Sequence, residues 1–515
     1  MSQYDRYDES GRLEVVTLPI RPGSRPTSRT GRPLDTRVAI RHPSPARFSH
    51  PPKRIIVACD GTWLDSDNGM LNGELQIESN VTRLARAILP EGDRGVQQIV
   101  FYHKGIGSSG GPVDRVIMGA VGEGLNQNVR EAYSFISNNY APGDEIFLVG
   151  FSRGAFTART VAGVMNTVGI LTKRGLTYLP EIYKDVLHRR DPRYRAKLPD
   201  VPFPNKPSAN SPRYREELYR RGLTVLDVPI KAVGVWDTVG ALGIPRVGIL
   251  QHLGVQGREA PEMAFYDTKL PNIVENAFQA LALDEKRTSF GPAVWEKTED
   301  NHTRLRQVWF PGVHSNIGGG YDDEELSTIT FAWMIAQLSP FLDFDRDTIA
   351  RQNAENDEYY RSHHRRPRPW SFGKIINSMS GIYSLGGGTL RTPGRYTAAD
   401  PESGARGKRP LRQTHEYIHP SVRTRFALRG PGTEDNGEYD PESLMDAWSL
   451  VVEYPDGPDG PPEIYWRARF RDDGGPRELP ESPLWEAERE LLAMDPRMED
   501  EVLRPPPTRP TKHGR

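Results

Sequence analysis

A chain of 515 residues with a formal net charge of −1 and a single cysteine is long enough to bury a large core, but its composition does not choose between one large domain and several. The near-equal charges give no whole-chain field that would recruit nucleic acid or an anionic membrane. One cysteine, Cys59, excludes an intramolecular disulfide framework and multi-cysteine zinc patterns, and fits a reducing compartment.

In chain order, residues 1–52 are rich in arginine, proline, serine and threonine, with almost no apolar periodicity, and are expected to form a disordered basic leader. Residues 1–13 carry no apolar signal region, so a cytoplasmic location is expected. No run of about 18 apolar residues occurs, so no spanning helix is expected and the chain is soluble or peripheral to a membrane. From Lys53 the pattern changes. Residues 54–60 (Arg-Ile-Ile-Val-Ala-Cys-Asp) are a short β-branched run closed by Gly61 and predict a buried strand. Residues 80–89 have apolar positions three and four apart before Pro90, as a helix does. A second strand is predicted over 97–103, a helix over 121–140, and a turn at Pro142-Gly143-Asp144 into a third strand over 145–149.

The alternation continues with a helix over 155–169, a strand over 230–236, a helix over 271–283, a strand over 306–310 and a helix over 326–338. Such alternation implies right-handed crossovers and a mostly parallel sheet with helices on both faces, an α/β-hydrolase-like class. Residues 170–226, charged and proline-broken, read as a cap-like insertion or a loop packed at the sheet's edge. The catalytic domain is placed at 53–345. Residues 346–500 read as a C-terminal extension, packed on the domain or partly irregular, with a last helix over 483–494; residues 501–515 read as a disordered tail.

The chemistry-bearing motif is Gly150-Phe151-Ser152-Arg153-Gly154. It follows an apolar strand directly and opens a helix directly, the context of a nucleophile elbow. A sharp turn leaves no room for side chains beside Ser152, and the helix start favours negative charge at its oxygen. The amide of Arg153 becomes one oxyanion donor. A second should come from Gly61 or Thr62 after the first strand, with 105–111 as the alternative.

A serine at its ordinary pKa needs a histidine oriented by a carboxylate, and in this fold the chain order is serine, acid, histidine. His314 follows a strand and the turn Pro311-Gly312-Val313, and a glycine run lies just beyond it; none of its competitors, His252, His302, His363, His364, His415 and His419, follows so clear a strand. Asp237 ends the strand before it, and Asp284 is the alternative acid, in a setting expected to be helical.

Cys59-Asp60-Gly61-Thr62-Trp63, Gly150 to Ala155, Val235-Trp236-Asp237-Thr238-Val239-Gly240, Leu281 to Glu285 and Gly312 to Gly320, in this order, resemble the uncharacterised α/β-hydrolase domain family that includes the Gly-x-Ser-x-Gly phospholipase effectors of type VI secretion. The resemblance covers about residues 53–340, and the layout is more like the fungal members. It implies ester hydrolysis by a triad at Ser152, Asp237 and His314, on phospholipids in the bacterial members. A small-molecule or lipid ester substrate is expected, with no metal or cofactor and no nucleic-acid partner.

Two other readings compete. Residues 55–62 also resemble the strand of haloacid-dehalogenase phosphatases, but their nucleophilic aspartate belongs where this chain has Ala58. A catalytically idle α/β-hydrolase-fold binding protein is the other, opposed by the intact candidate triad.

Overall fold

A computed structural model of the protein describes residues 6–7, 13–14, 51–61, 70–71, 74–75, 77–105, 119–239, 268–379, 388–399, 406–469 and 475–508. The chain forms two units, residues 1–47 and 48–515. In the first, the described residues are the antiparallel pair Arg6–Tyr7 and Leu13–Glu14; the rest of the leader expected to be disordered lies outside the described residues, apart from residues 51 and 52.

The second unit is built on a seven-stranded sheet. Its strands are β1 (Arg54–Cys59), β2 (Gln98–His103), β3 (Glu145–Phe151), β4 (Ala232–Trp236), β5 (Asn276–Ala282), β6 (Arg304–Phe310) and β7 (Glu416–Ile418). They lie in the order β7-β6-β5-β4-β3-β1-β2, every neighbouring pair parallel. The two-residue period of a strand assigns each side chain to a layer. From β1, Ile55, Val57 and Cys59 join one apolar cluster with Val129, Tyr133 and Ala158. Ile56 and Ala58 join the other with Val81, Leu84 and Phe331. Helices α2 (Gly119–Asn139) and α3 (Ser152–Val168) cover the first face; α1 (Asn80–Ala87) and α7 (Glu325–Leu338) cover the second. This is an α/β-hydrolase-like fold.

One predicted element has the wrong type. Residues 271–283, expected to be helical, hold β5, all seven of whose residues are buried between β4 and β6. Alanine and leucine favour helix only weakly, and a short, continuously apolar run fits a strand buried on both faces equally well. Gln279, polar in mid-strand and fully buried, accepts from Thr238 Oγ1 at 2.7 Å and donates to Gln307 Oε1 on β6 at 3.0 Å, so its burial leaves no orphaned group.

Residues 170–226 hold α4 (Leu179–Leu187) and α5 (Pro212–Arg220). Their apolar side chains join the α2/α3 cluster, and the segment's two ends pair as Ile170–Leu171 with Thr224–Val225. The segment therefore packs on α2 and α3, the helices that cover one face of the sheet, and its terminal pair forms a two-stranded sheet of its own.

The stretch after 345 is more ordered than its sequence suggests. It supplies β7, helices α8 (Thr348–Ser362) and α9 (Pro420–Ala427), an antiparallel sheet of β8 (Trp448–Glu453), β9 (Glu463–Ala468) and β10 (Glu478–Pro480), and helices α10 (Glu486–Ala493) and α11 (Pro496–Leu503). The tail expected to be disordered from 501 is placed as far as Thr508, where Val452 N donates to Thr508 Oγ1 at 3.0 Å. No helix among the described residues is long and apolar enough to cross a membrane.

The topology fixes where a site can form. The chain passes from β1 outward to β2 and returns across β1 to β3, so the carboxyl ends of β1 and β3 lie side by side at a switch point, where open α/β sheets form their ligand crevice.

Candidate active site

Strand β3 ends at Phe151 and α3 begins at Ser152, whose φ is +57°. That left-handed conformation costs a residue with a side chain about 1–2 kcal/mol. The turn is possible because both flanking glycines lack a side chain. A Cβ on Gly150 would lie 2.6 Å from the carbonyl oxygen of Gly154, and one on Gly154 would lie 2.1 Å from that of Cys59. Both obstacles are backbone, so no rotamer change relieves them. Gly154→Ala is expected to lower thermal stability by about 3 kcal/mol or more, read as a melting-temperature drop; an unchanged melt would contradict this packing.

His314 opens a short helix, α6 (His314–Gly318), after β6 and a turn in which Gly312 has φ +109°. Asp284 fixes that turn: Gly312 N donates to its carboxylate at 2.6 Å, and Asp284 N donates to Gly312 O at 3.0 Å. Glu285 accepts from the amide of His314 at 3.2 Å and is itself bound side-on by Arg287. Thus neither acid of the Asp284-Glu285 pair bonds to the imidazole; both position its backbone. Asp284 follows β5 in place of its expected helical setting. The ring of His314 packs against Phe151, with centroids 4.6 Å apart, and meets the edge of Phe290 at 4.9 Å.

The structure brings the three sequence-derived residues together. Ser152 Oγ lies 2.7 Å from His314 Nε2, and His314 Nδ1 lies 2.6 Å from Asp237 Oδ2. All three are buried. With Nδ1–H donating to the carboxylate, Nε2 accepts from the serine hydroxyl. Asp237 stands just past β4 with no exposure. Its other oxygen accepts from the amide of Ala282 at 3.0 Å, and Arg391 donates to both carboxylate oxygens, Nη2 to Oδ2 at 3.0 Å. Burial alone would raise the Asp237 carboxyl, but the Arg391 charge and the imidazole contact outweigh it and hold the acid well below the usual carboxylate range. Burial lowers His314 below the ordinary imidazole value against the opposing pull of Asp237.

The expected oxyanion donors divide. Arg153 is the second residue of α3, in the turn whose amides lack intrahelical partners. Gly61 requires a correction: its amide donates to Asp60 Oδ1 at 2.6 Å, so that N–H is already engaged. Asp60 also accepts from Ser79, Thr82 and Tyr102, which ties the end of β1 to α1 and β2. Thr62 and the alternative donors from 106 onward lie outside the described residues. Among the described residues, no group of three or more His, Cys, Asp or Glu could hold a metal ion.

Of the competing histidines, His302, His363, His364 and His415 are exposed, and His252 lies outside the described residues. His419 is fully buried between Ser421 Oγ at 2.7 Å and Glu488 at 2.8 Å, stacked on Phe310. That serine is sealed as well, so the arrangement caps α9 with no access for a substrate. Sequence reasoning missed Arg391, Glu285 as a positioning group, and the aromatic pair around His314.

The model of the type VI secretion system phospholipase effector Tle1-like catalytic domain matches residues 53–337, more than half of the chain. The chain belongs to that family. The chain is also 28% identical over 260 residues to YEL023C, an uncharacterized protein of Saccharomyces cerevisiae; the match covers 48% of this chain and 33% of the yeast protein, so it spans about a third of that relative. Two solved structures are similar at lower identity. An uncharacterized protein from Pseudomonas aeruginosa is 16% identical, with 62% of this chain and 52% of that one covered and a TM-score of 0.34. Esterase 2 of Thermogutta terrifontis, phosphoramylated by tabun, is 14% identical, with 56% and 83% covered and a TM-score of 0.25.

Proposed function

We infer that this Tle1-like protein is a serine hydrolase that cleaves carboxylic esters, of lipase or phospholipase type, through an acyl-enzyme on Ser152. The hydrogen-bonded chain from Ser152 Oγ through both nitrogens of His314 to Asp237, at 2.7 and 2.6 Å, carries this reading. His314 takes the serine proton as Oγ attacks the ester carbonyl, and Asp237 holds the imidazole in the required tautomer. The oxyanion that develops meets the amide of Arg153 at the positive end of α3. The protonated imidazole then donates to the departing alcohol, and water, activated by the same nitrogen, releases the acid. The family's description as a phospholipase effector favours a lipid ester as substrate.

Hydrolysis of a panel of esters that varies acyl length and head group, phospholipid vesicles included, tests this reading. Acid release from at least one lipid ester is expected; purified, folded protein that hydrolyses none of them would contradict it.

The pH profile supplies a second test. His314 acts as a base only when neutral, and burial holds its pKa below the ordinary 6.5. The acid limb of kcat/KM is therefore expected to have its midpoint below pH 6.5. An acid limb at or above that value would contradict the buried, neutral imidazole.

A further inference from the structure

We propose that Arg391, contributed by the chain beyond the family's matched segment, is a positioning residue for the triad acid: its guanidinium fixes the Asp237 carboxylate toward His314 and balances its charge. The inference rests on the serine-hydrolase reading and deepens it.

The geometry is that of a two-pronged clamp. The terminal nitrogens of Arg391 reach both oxygens of Asp237 and also donate to the carbonyls of Ala282 at 2.7 Å and Phe290 at 2.8 Å. Those two carbonyls flank the segment that carries Asp284, Glu285 and Arg287. One side chain therefore registers the acid against the loop that also holds the backbone of His314. Arg391 is 3% exposed, and the planar fork of arginine suits a carboxylate as a lysine ammonium does not.

Its own loop is held from both sides. Thr389 N donates to Lys286 O at 2.8 Å, and Gly394 N donates to the buried carboxylate of Glu416, the first residue of β7, at 2.8 Å. Glu416 also accepts from Trp309 Nε1 on β6 at 2.9 Å. The C-terminal extension thus reaches the site through the seventh strand.

Charge counting gives the consequence. The groups around the imidazole form two pairs, Asp237 with Arg391 and Glu285 with Arg287, and His314 is neutral between them. Without Arg391 the buried cluster carries a net negative charge, which burial disfavours. The proton that relieves this excess goes to the imidazole, because Asp237 is already its partner. A protonated Nε2 cannot take the serine proton.

The test uses the full chain with Arg391→Met and Arg391→Lys, each followed by thermal melting, kcat, KM and the pH dependence of kcat/KM. Arg391→Met is expected to lower kcat roughly 10²-fold with little change in KM, and to move the acid limb to higher pH. Arg391→Lys, which keeps the charge and loses the fork, should fall between it and wild type in kcat and keep the acid limb near its wild-type position. A purely structural role would leave both kcat per folded molecule and the acid limb unchanged in both variants, and that result overturns the proposal. Should the methionine variant not fold, a folded lysine variant at the wild-type kcat overturns it equally. Fluorophosphonate labelling of wild type separates the two levels. No labelling there removes the serine-hydrolase reading and this inference with it, whereas wild-type labelling matched by equally fast labelling of both variants removes the inference alone.

Discussion

Ser152→Ala is expected to lower kcat for ester hydrolysis by roughly 10⁶-fold while the protein stays folded. Alanine keeps the Cβ and removes only the hydroxyl that lies 2.7 Å from His314 Nε2, so the elbow, its two glycines and the packing of α3 against β1 are untouched. Ser152→Gly then separates chemistry from backbone strain. Both variants lack the hydroxyl, but glycine adopts the φ of +57° at this position without a steric penalty. The glycine variant should be as inactive as the alanine variant and more stable than it by about 1 kcal/mol. Melting curves and progress curves on the same preparations check both statements. Hydrolysis by Ser152→Ala within tenfold of wild type would place the nucleophile elsewhere.

Asp237→Asn is expected to cost on the order of 10⁴ in kcat, with a second effect on the fold. The amide presents a donor where the carboxylate accepted, which favours the wrong imidazole tautomer. It also leaves the buried Arg391 guanidinium without its counter-charge, and breaking a buried pair on one side destabilises by about 3–5 kcal/mol. Activity and melting temperature should therefore fall together. Asp237→Asn combined with Arg391→Met should recover much of the stability and none of the activity, because the two losses have different origins. An Asp237→Asn variant that melts like wild type would show that the Arg391 contact contributes nothing to the fold.

What was legible in the sequence follows from how local each signal is. The elbow could be read because its strand, glycines and helix are contiguous, and their crowding is a matter of neighbouring backbone atoms. His314 could be read because a strand, a turn and a glycine run frame it within a dozen residues. The placement of β5 could not, because Asn276–Ala282 owes its strand form to β4 and β6 on either side, and nothing within the seven residues records those neighbours. Arg391 was invisible for the same reason in stronger form: it lies 154 residues from Asp237 in the chain, in a stretch without periodicity. A charge count offered one hint, since a fully buried carboxylate calls for a cation. The engagement of the Gly61 amide by Asp60 is a third case, set by three donors on α1 and β2 that close over the same carboxylate and orient it.

The most direct test of the central claim is intact-mass and peptide analysis after reaction with a fluorophosphonate. One adduct on Ser152 is expected in the wild-type protein, absent from Ser152→Ala and strongly slowed in His314→Ala. A folded wild-type protein that takes no adduct, or an adduct that persists in Ser152→Ala, would contradict it.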